Sequence, residues 1–230
     1  MRETADVLVI GSGAGGSPIA LEMSRAGFQV VVLEKGPRYS HDDFMLDDVQ
    51  AMLGTRLFVP DVIDDPHVLC HGDGRRELTT LGWIASCVGG GTAHMGGALY
   101  RFHPDDFRLR SLYGPFEAIA DWPYQYESIE PYYAKAEAEI GLSGRAGANP
   151  TEGARSSPYP MPPLDAHWLA PALVEACDRM GLSAFPTPHA INSVPFAGRP
   201  ACTFCDRCAG FGCATGARGS TLDTLLPRAE

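Results

Sequence analysis

Three groups of residues in this chain have types and spacings that can do chemistry. The first is Gly11-Ser12-Gly13-Ala14-Gly15-Gly16, followed by an acid, Glu34, that lies 18 residues after Gly16. Gly11 suits a tight turn, Gly13 lets a pyrophosphate approach the backbone, and Gly16 lets a following helix lie close against the preceding strand. N–H groups at the helix start then face the diphosphate, helped by the helix dipole. Glu34 stands at about the distance where an acid takes the ribose hydroxyls of an adenosine, and its charge would repel a 2′-phosphate. Ala14, Gly15 and Lys35 complete the candidate cofactor contacts of this run. The second group is another glycine cluster, Val88-Gly89-Gly90-Gly91-Thr92-Ala93-His94-Met95-Gly96-Gly97. The third is Cys202-x-x-Cys205-x-x-Cys208-x-x-x-x-Cys213. Its two consecutive short gaps resemble the opening of an iron–sulfur ligand run. Zinc is the less natural reading, because zinc thiolates usually come as two separated pairs. Packed thiols or a local disulfide are the alternative.

The elements that must position these groups can be read in outline. Val7 to Ile10 is a short apolar strand, and a helix runs from the glycines to about Ala26, with Ile19, Leu21 and Met23 as candidate core positions. Gly27 ends that helix as a glycine C-cap, and a second strand from Gln29 to Leu33 delivers Glu34. This strand–turn–helix–strand–acid order predicts an α/β, Rossmann-like nucleotide-binding domain. An acidic amphipathic stretch is expected over 41–57, and a loop over 61–76, where Asp-Pro, His-Gly and Asp-Gly break the pattern. A helix is expected over 128–140 with Ile129, Tyr133, Ala136 and Ile140 as its core stripe. Residues 144–163, rich in Gly, Pro, Ser and Ala, read as a linker or surface excursion, and 164–180 as a further helix capped by Gly181. The expected division is a dinucleotide-binding core over 1–110, a helical and loop excursion over 111–200, and a cysteine-rich segment leading into a strand over 201–230. There is no repeat and no second Rossmann half.

Bulk properties narrow the function classes. The formal charge is −10 and no basic run occurs, which argues against nucleic-acid binding. No apolar stretch is long enough to span a bilayer. The first strand begins within six residues of the N-terminus, which leaves no room for a signal peptide. Seven cysteines, four of them crowded together, do not form a secreted disulfide framework, so a cytoplasmic location is expected; export with a partner stays open. Cys70, Cys87 and Cys177 are expected to be small buried apolar side chains.

Four stretches, Val9 to Pro37, Val88 to Phe107, Trp122 to Gly141 and Cys202 to Thr221, together resemble the N-terminal part of the glucose–methanol–choline (GMC) oxidoreductases. The resemblance implies FAD rather than NAD, and oxidation of a CH–OH group of an alcohol or sugar by hydride transfer to the flavin. It implies a Rossmann-like FAD domain joined to part of an α+β substrate domain. It also implies that Gly89, Gly90 and Thr92 lie against the flavin, where glycine lets the backbone approach a flat ring. At His94 it leaves two readings: a covalent histidyl link to the flavin, or a hydrogen bond to cofactor or backbone. For Cys202, Cys205, Cys208 and Cys213 it also leaves two, since some relatives carry a cluster as a relay to an external acceptor and others do not.

Family members are about twice as long as this chain, in keeping with two ordinary domains. Their catalytic histidine and its partner lie in the later part, and His41, His67, His71, His103, His167 and His189 do not match that motif. The expectation is an FAD-binding half completed by a second polypeptide. A non-catalytic fragment or an electron-transfer subunit is the competing reading, and an NAD-dependent dehydrogenase the third.

Overall fold

The computed structural model describes residues 4–44, 66–79, 85–116 and 118–230. The chain divides into two compact units, Met1–Gly97 with Thr203–Glu230, and Ala98–Cys202. These boundaries differ from the expected ones near 110 and 200. The cysteine-rich segment after Cys202 does not stand apart; it belongs to the first unit.

In the first unit, β1 (Val7–Ile10) pairs in parallel with β2 (Val30–Leu33), in a register that sets Val7 opposite Val30 and Ile10 opposite Leu33. The crossover between them is α1 (Gly16–Arg25). A Cβ on Gly16 would sit 1.9 Å from the Gly11 carbonyl oxygen, so the helix can start this close to the strand only as glycine. Leu21, Ala20 and Val9 are buried between helix and sheet, whereas Ile19 is 49% exposed and Met23 only half-buried, which corrects the expected core positions. Alternate residues Leu8, Ile10, Val31 and Leu33 share the other face of the pair and are exposed. Parallel strands ordinarily bury both faces. A short α5 (Leu226–Ala229) lies on α1, tied there by the Ser24 hydroxyl donating to the Ala229 carbonyl at 2.9 Å.

Part of the segment expected as a loop is an antiparallel hairpin, β3 (His67–Cys70) with β4 (Arg76–Thr79). The Asp-Gly pair marks its turn rather than a structureless loop, with Gly74 at φ +85°. Residues 45–65, which carry most of the expected amphipathic stretch, lie outside the described residues. No helix among the described residues is long and apolar enough to cross a membrane.

In the second unit, α2 (Leu109–Tyr113) precedes α3 (Tyr126–Ile140), which ends at Gly141, φ +81°, as a left-handed cap. Trp122, Tyr124 and Tyr126 pack with Phe107 at ring-centroid distances of 6.0, 6.2 and 6.3 Å. The buried stripe of α3 is Tyr126, Glu130 and Glu137, while Ala136 of the expected stripe is exposed. The glutamates are buried because Arg101 and Arg155 meet them. Arg155 comes from the stretch expected to be a surface linker, which is instead held at Ser143 and Met161 by a strand-like bridge. α4 (Ala170–Arg179) is shorter than the expected 164–180 and buries none of its residues. Gly181, φ +70°, ends it as expected, with the Leu182 N–H reaching the Cys177 carbonyl at 2.9 Å.

Candidate dinucleotide site

The two glycine loops meet in the first unit. Gly11, φ +89°, turns the chain after β1 and its N–H donates to the Leu33 carbonyl at 2.7 Å. Gly13 then comes up against the second cluster: a Cβ there would stand 3.8 Å from the Gly90 Cα. Gly90 itself, at φ +53°, would place its Cβ 3.1 Å from the Gly13 Cα. Gly89, φ +93°, is similarly closed off by Leu222 at 3.1 Å. Ala14 and Gly15 are exposed at the start of α1, and no side chain caps that helix end. Its N–H groups are therefore the kind of donor that binds a phosphate.

Ser12, which the motif logic treats as a spacer, joins the parts. Its backbone N–H and its hydroxyl donate to Glu34 Oε2 at 2.9 and 2.7 Å, and its Oγ accepts the Gly89 N–H at 3.0 Å. Its carbonyl accepts from the Thr221 hydroxyl at 3.1 Å. Thr221 in turn lies beside Thr92, whose hydroxyl donates to the Gly89 carbonyl at 2.6 Å. Burial alone would push the Glu34 carboxyl up. The Ser12 N–H and hydroxyl, with the Gly36 and Lys35 N–H groups, outweigh that and hold it below the usual carboxylate range. Glu34 is thus an anion at the end of β2, as ribose recognition needs. Beside it opens a cleft of about 360 Å³, walled by Ser12, Val32, Glu34, Arg38 and Val88, with Arg38 paired to Glu230. Lys35 is exposed.

His94 closes the short turn Gly90–Ala93 and is 5% exposed. A Cβ on Gly91 would lie 3.9 Å from its Nε2, and its carbonyl accepts the Gly210 N–H at 2.9 Å. The second glycine cluster is therefore tied to the cysteine-rich segment. The principal tie is Arg218, 1% exposed. Its guanidinium donates to the carbonyls of Ala93 and Met95 from the glycine cluster and of Cys208 and Phe211 from the cysteine segment. Nothing in the sequence marks this role, since a lone arginine between Ala217 and Gly219 carries no signal of burial.

The cysteines are not gathered as metal ligands. Cys202, Cys205, Cys208 and Cys213 form no disulfide, and no three His, Cys, Asp or Glu among the described residues come together as a metal would require. Cys202 belongs to the second unit and the other three to the first. Two carbonyls of the segment, those of Cys208 and Phe211, turn toward the Arg218 guanidinium. Phe204 and Asp206 adopt left-handed φ of +54° and +60° around Cys205. Burial would raise the Cys213 thiol, but the Thr215 hydroxyl and Arg218 lower it overall. Of the remaining cysteines only Cys87 is fully buried, its thiol pushed up to about 11 by burial and the nearby Glu34 charge; Cys70 is exposed and Cys177 half-buried, against expectation.

Comparison with known proteins agrees with the geometry. Residues 6–43 match a family model described as an FAD binding domain. Over 223 residues the chain is 35% identical to paromamine 6'-oxidase of Streptomyces fradiae, covering 96% of this chain and 37% of that protein. Over 219 residues it is 32% identical to the fructose dehydrogenase large subunit of Gluconobacter japonicus, covering 89% and 40%. The crystal structure of pyridoxine 4-oxidase from Mesorbium loti superposes with a TM-score of 0.53 at 17% identity, over 97% of this chain and 39% of that one, a likeness of fold. The chain thus spans about two fifths of the length of these relatives.

Proposed function

We propose that this chain, an FAD-binding part of a GMC-type oxidoreductase, holds the adenine dinucleotide of FAD and serves the oxidation of CH–OH groups of alcohols or sugars. The observation that carries the first clause is the Ser12 junction. One buried hydroxyl joins the ribose acid Glu34 to the second glycine loop, beside the close approach of the two loops where a Cβ on Gly90 would stand 3.1 Å from the Gly13 Cα. The residues present therefore fit the cofactor: α1 N–H groups for the pyrophosphate, Glu34 for the ribose, and Gly89, Gly90, Thr92 and His94 for the flavin end. FAD, when bound, supplies the acceptor for the substrate hydride. The chain's own contribution is to bind and orient it and to keep Glu34 ionised. The names of the two relatives, an oxidase of paromamine and a dehydrogenase of fructose, support the substrate class.

The finer readings belong to the same proposal. His94 is the residue for a covalent flavin link, supported by its burial at the end of the second glycine turn. A second polypeptide is the proposed partner, supported by the naming of one relative as a large subunit and by the uncovered face of β1 and β2. No electron-transfer step is assigned to the cysteines. The test is a visible spectrum of anaerobically purified protein, repeated on pellet and supernatant after acid precipitation. Flavin bands support the reading, and colour retained in the pellet and lost in His94→Ala supports the covalent link. A shoulder that bleaches with dithionite would restore the iron–sulfur reading of Cys202, Cys205, Cys208 and Cys213. A folded protein that takes up no FAD would overturn the proposal.

A further inference from the structure

We infer that the pocket in the second unit beside Glu152 and Asp106 binds small primary ammonium compounds. The pocket has a volume of about 210 Å³. Its floor belongs to a buried charge network in which three carboxylates, Glu130, Glu137 and Glu152, face two guanidiniums, Arg101 and Arg155. One negative charge is left over in a place shielded from water, where an unbalanced charge is costly and a ligand cation would offset it.

The donors and acceptors show where that charge is available. Arg101, whose side chain is 2% exposed, spends most of its donors inside the network: Nε and Nη2 donate to Glu137 at 2.8 Å each, and Nη1 donates to Glu130 at 2.8 Å and to Tyr126 at 3.1 Å. One Nη2 N–H is left, but the guanidinium charge is already met by Glu130 and Glu137. Glu152, whose side chain is 9% exposed, lines the pocket and uses one oxygen twice: Oε1 accepts from Arg155 at 2.6 Å and from the Tyr159 hydroxyl at 3.0 Å. Its Oε2 has no hydrogen bond among the described residues. Asp106, also in the lining, accepts the His103 N–H at 2.7 Å through Oδ2, and its Oδ1 has no hydrogen bond among the described residues. An ammonium group carries three donors and no acceptor, which matches two carboxylate oxygens and the neighbouring polar wall. The pocket's other guanidinium, Arg145, is on an exposed residue, where solvent screens its charge.

Calorimetric titration of the chain with ethanolamine, ethylene glycol and acetate tests this, since the first two differ chiefly in one ammonium. Ethanolamine should bind, ethylene glycol should not, and the affinity should fall about fivefold or more in Asp106→Asn and Glu152→Gln. Arg145→Ala should leave or strengthen ethanolamine binding. Far-UV circular dichroism checks folding, and if Glu152→Gln fails to fold, Asp106→Asn decides alone. Binding of acetate that is lost in Arg145→Ala would mean an anion site and overturn the inference. So would equal binding of amine and diol, no binding of ethanolamine, or ethanolamine binding unaffected in Asp106→Asn.

Discussion

Ser12 carries more of the dinucleotide site than its place between two glycines suggests. Ser12→Ala removes one bond to Glu34 and the acceptor of the Gly89 N–H in a buried setting, so it should cost about 1–3 kcal/mol of unfolding free energy and weaken FAD binding. Urea unfolding and FAD titration measure the two effects. Glu34 gives a pH dependence of known sign. Its folded pKa is depressed, so its contribution is fully present above its unfolded value of about 4.3 and is lost as pH falls through the lower folded value. Glu34→Gln should therefore flatten the acid side of the stability curve, seen as a urea midpoint that changes less below about pH 5 than in the parent. Gly16→Ala forces a Cβ onto the Gly11 carbonyl and should destabilise by about 1–3 kcal/mol or more. Glycine spacing and the acid were legible in the sequence because each answers to one local geometric need. Ser12 and Arg218 were not, since their partners are distant in the chain: Ser12 meets Gly89, and Arg218 meets Ala93.

At the scale of elements, periodicity located α3 to within two residues and picked Ile129, Tyr133 and Ile140, which are half-buried, but missed the buried Glu130 and Glu137. A hydrophobic stripe marks the core only when the core is apolar. Here Glu130 and Glu137 are buried and Ala136 is exposed, because two arginines from outside the helix neutralise the acids. Glu137→Ala would leave Arg101 and Arg155 under-compensated and should cost about 3–5 kcal/mol, measurable by denaturant unfolding. The opposite holds for the bare face of β1 and β2. Ile10 is 82% exposed, so Ile10→Lys should change the stability of this chain by less than about 0.5 kcal/mol. The same substitution should abolish association with a polypeptide that covers this face, read by size-exclusion chromatography with the later part of a GMC relative. The hairpin of β3 and β4 is hard to read from sequence, because Asp73-Gly74 serves equally as a hairpin turn and as a loop breaker.

At the scale of the whole molecule, two units each hold a distinct kind of site: a dinucleotide cleft with an ionised ribose acid, and a polar pocket over a buried charge network. The α/β class and the FAD motif were legible from the order strand, glycine turn, helix, strand and acid. The unit boundaries were not, because the return of residues 203–230 to the first unit depends on Arg218 and Thr221 contacts that no composition shift announces. The central claim is that the first unit binds FAD through the junction of Ser12, Glu34 and the two glycine loops. Its most direct test is to titrate FAD into the purified, folded chain, following flavin fluorescence, in parallel with Ser12→Ala and Gly90→Ala. The account requires saturable binding near one FAD per chain that both substitutions weaken. A folded chain that binds no FAD, or binds it equally well in all three forms, would contradict it.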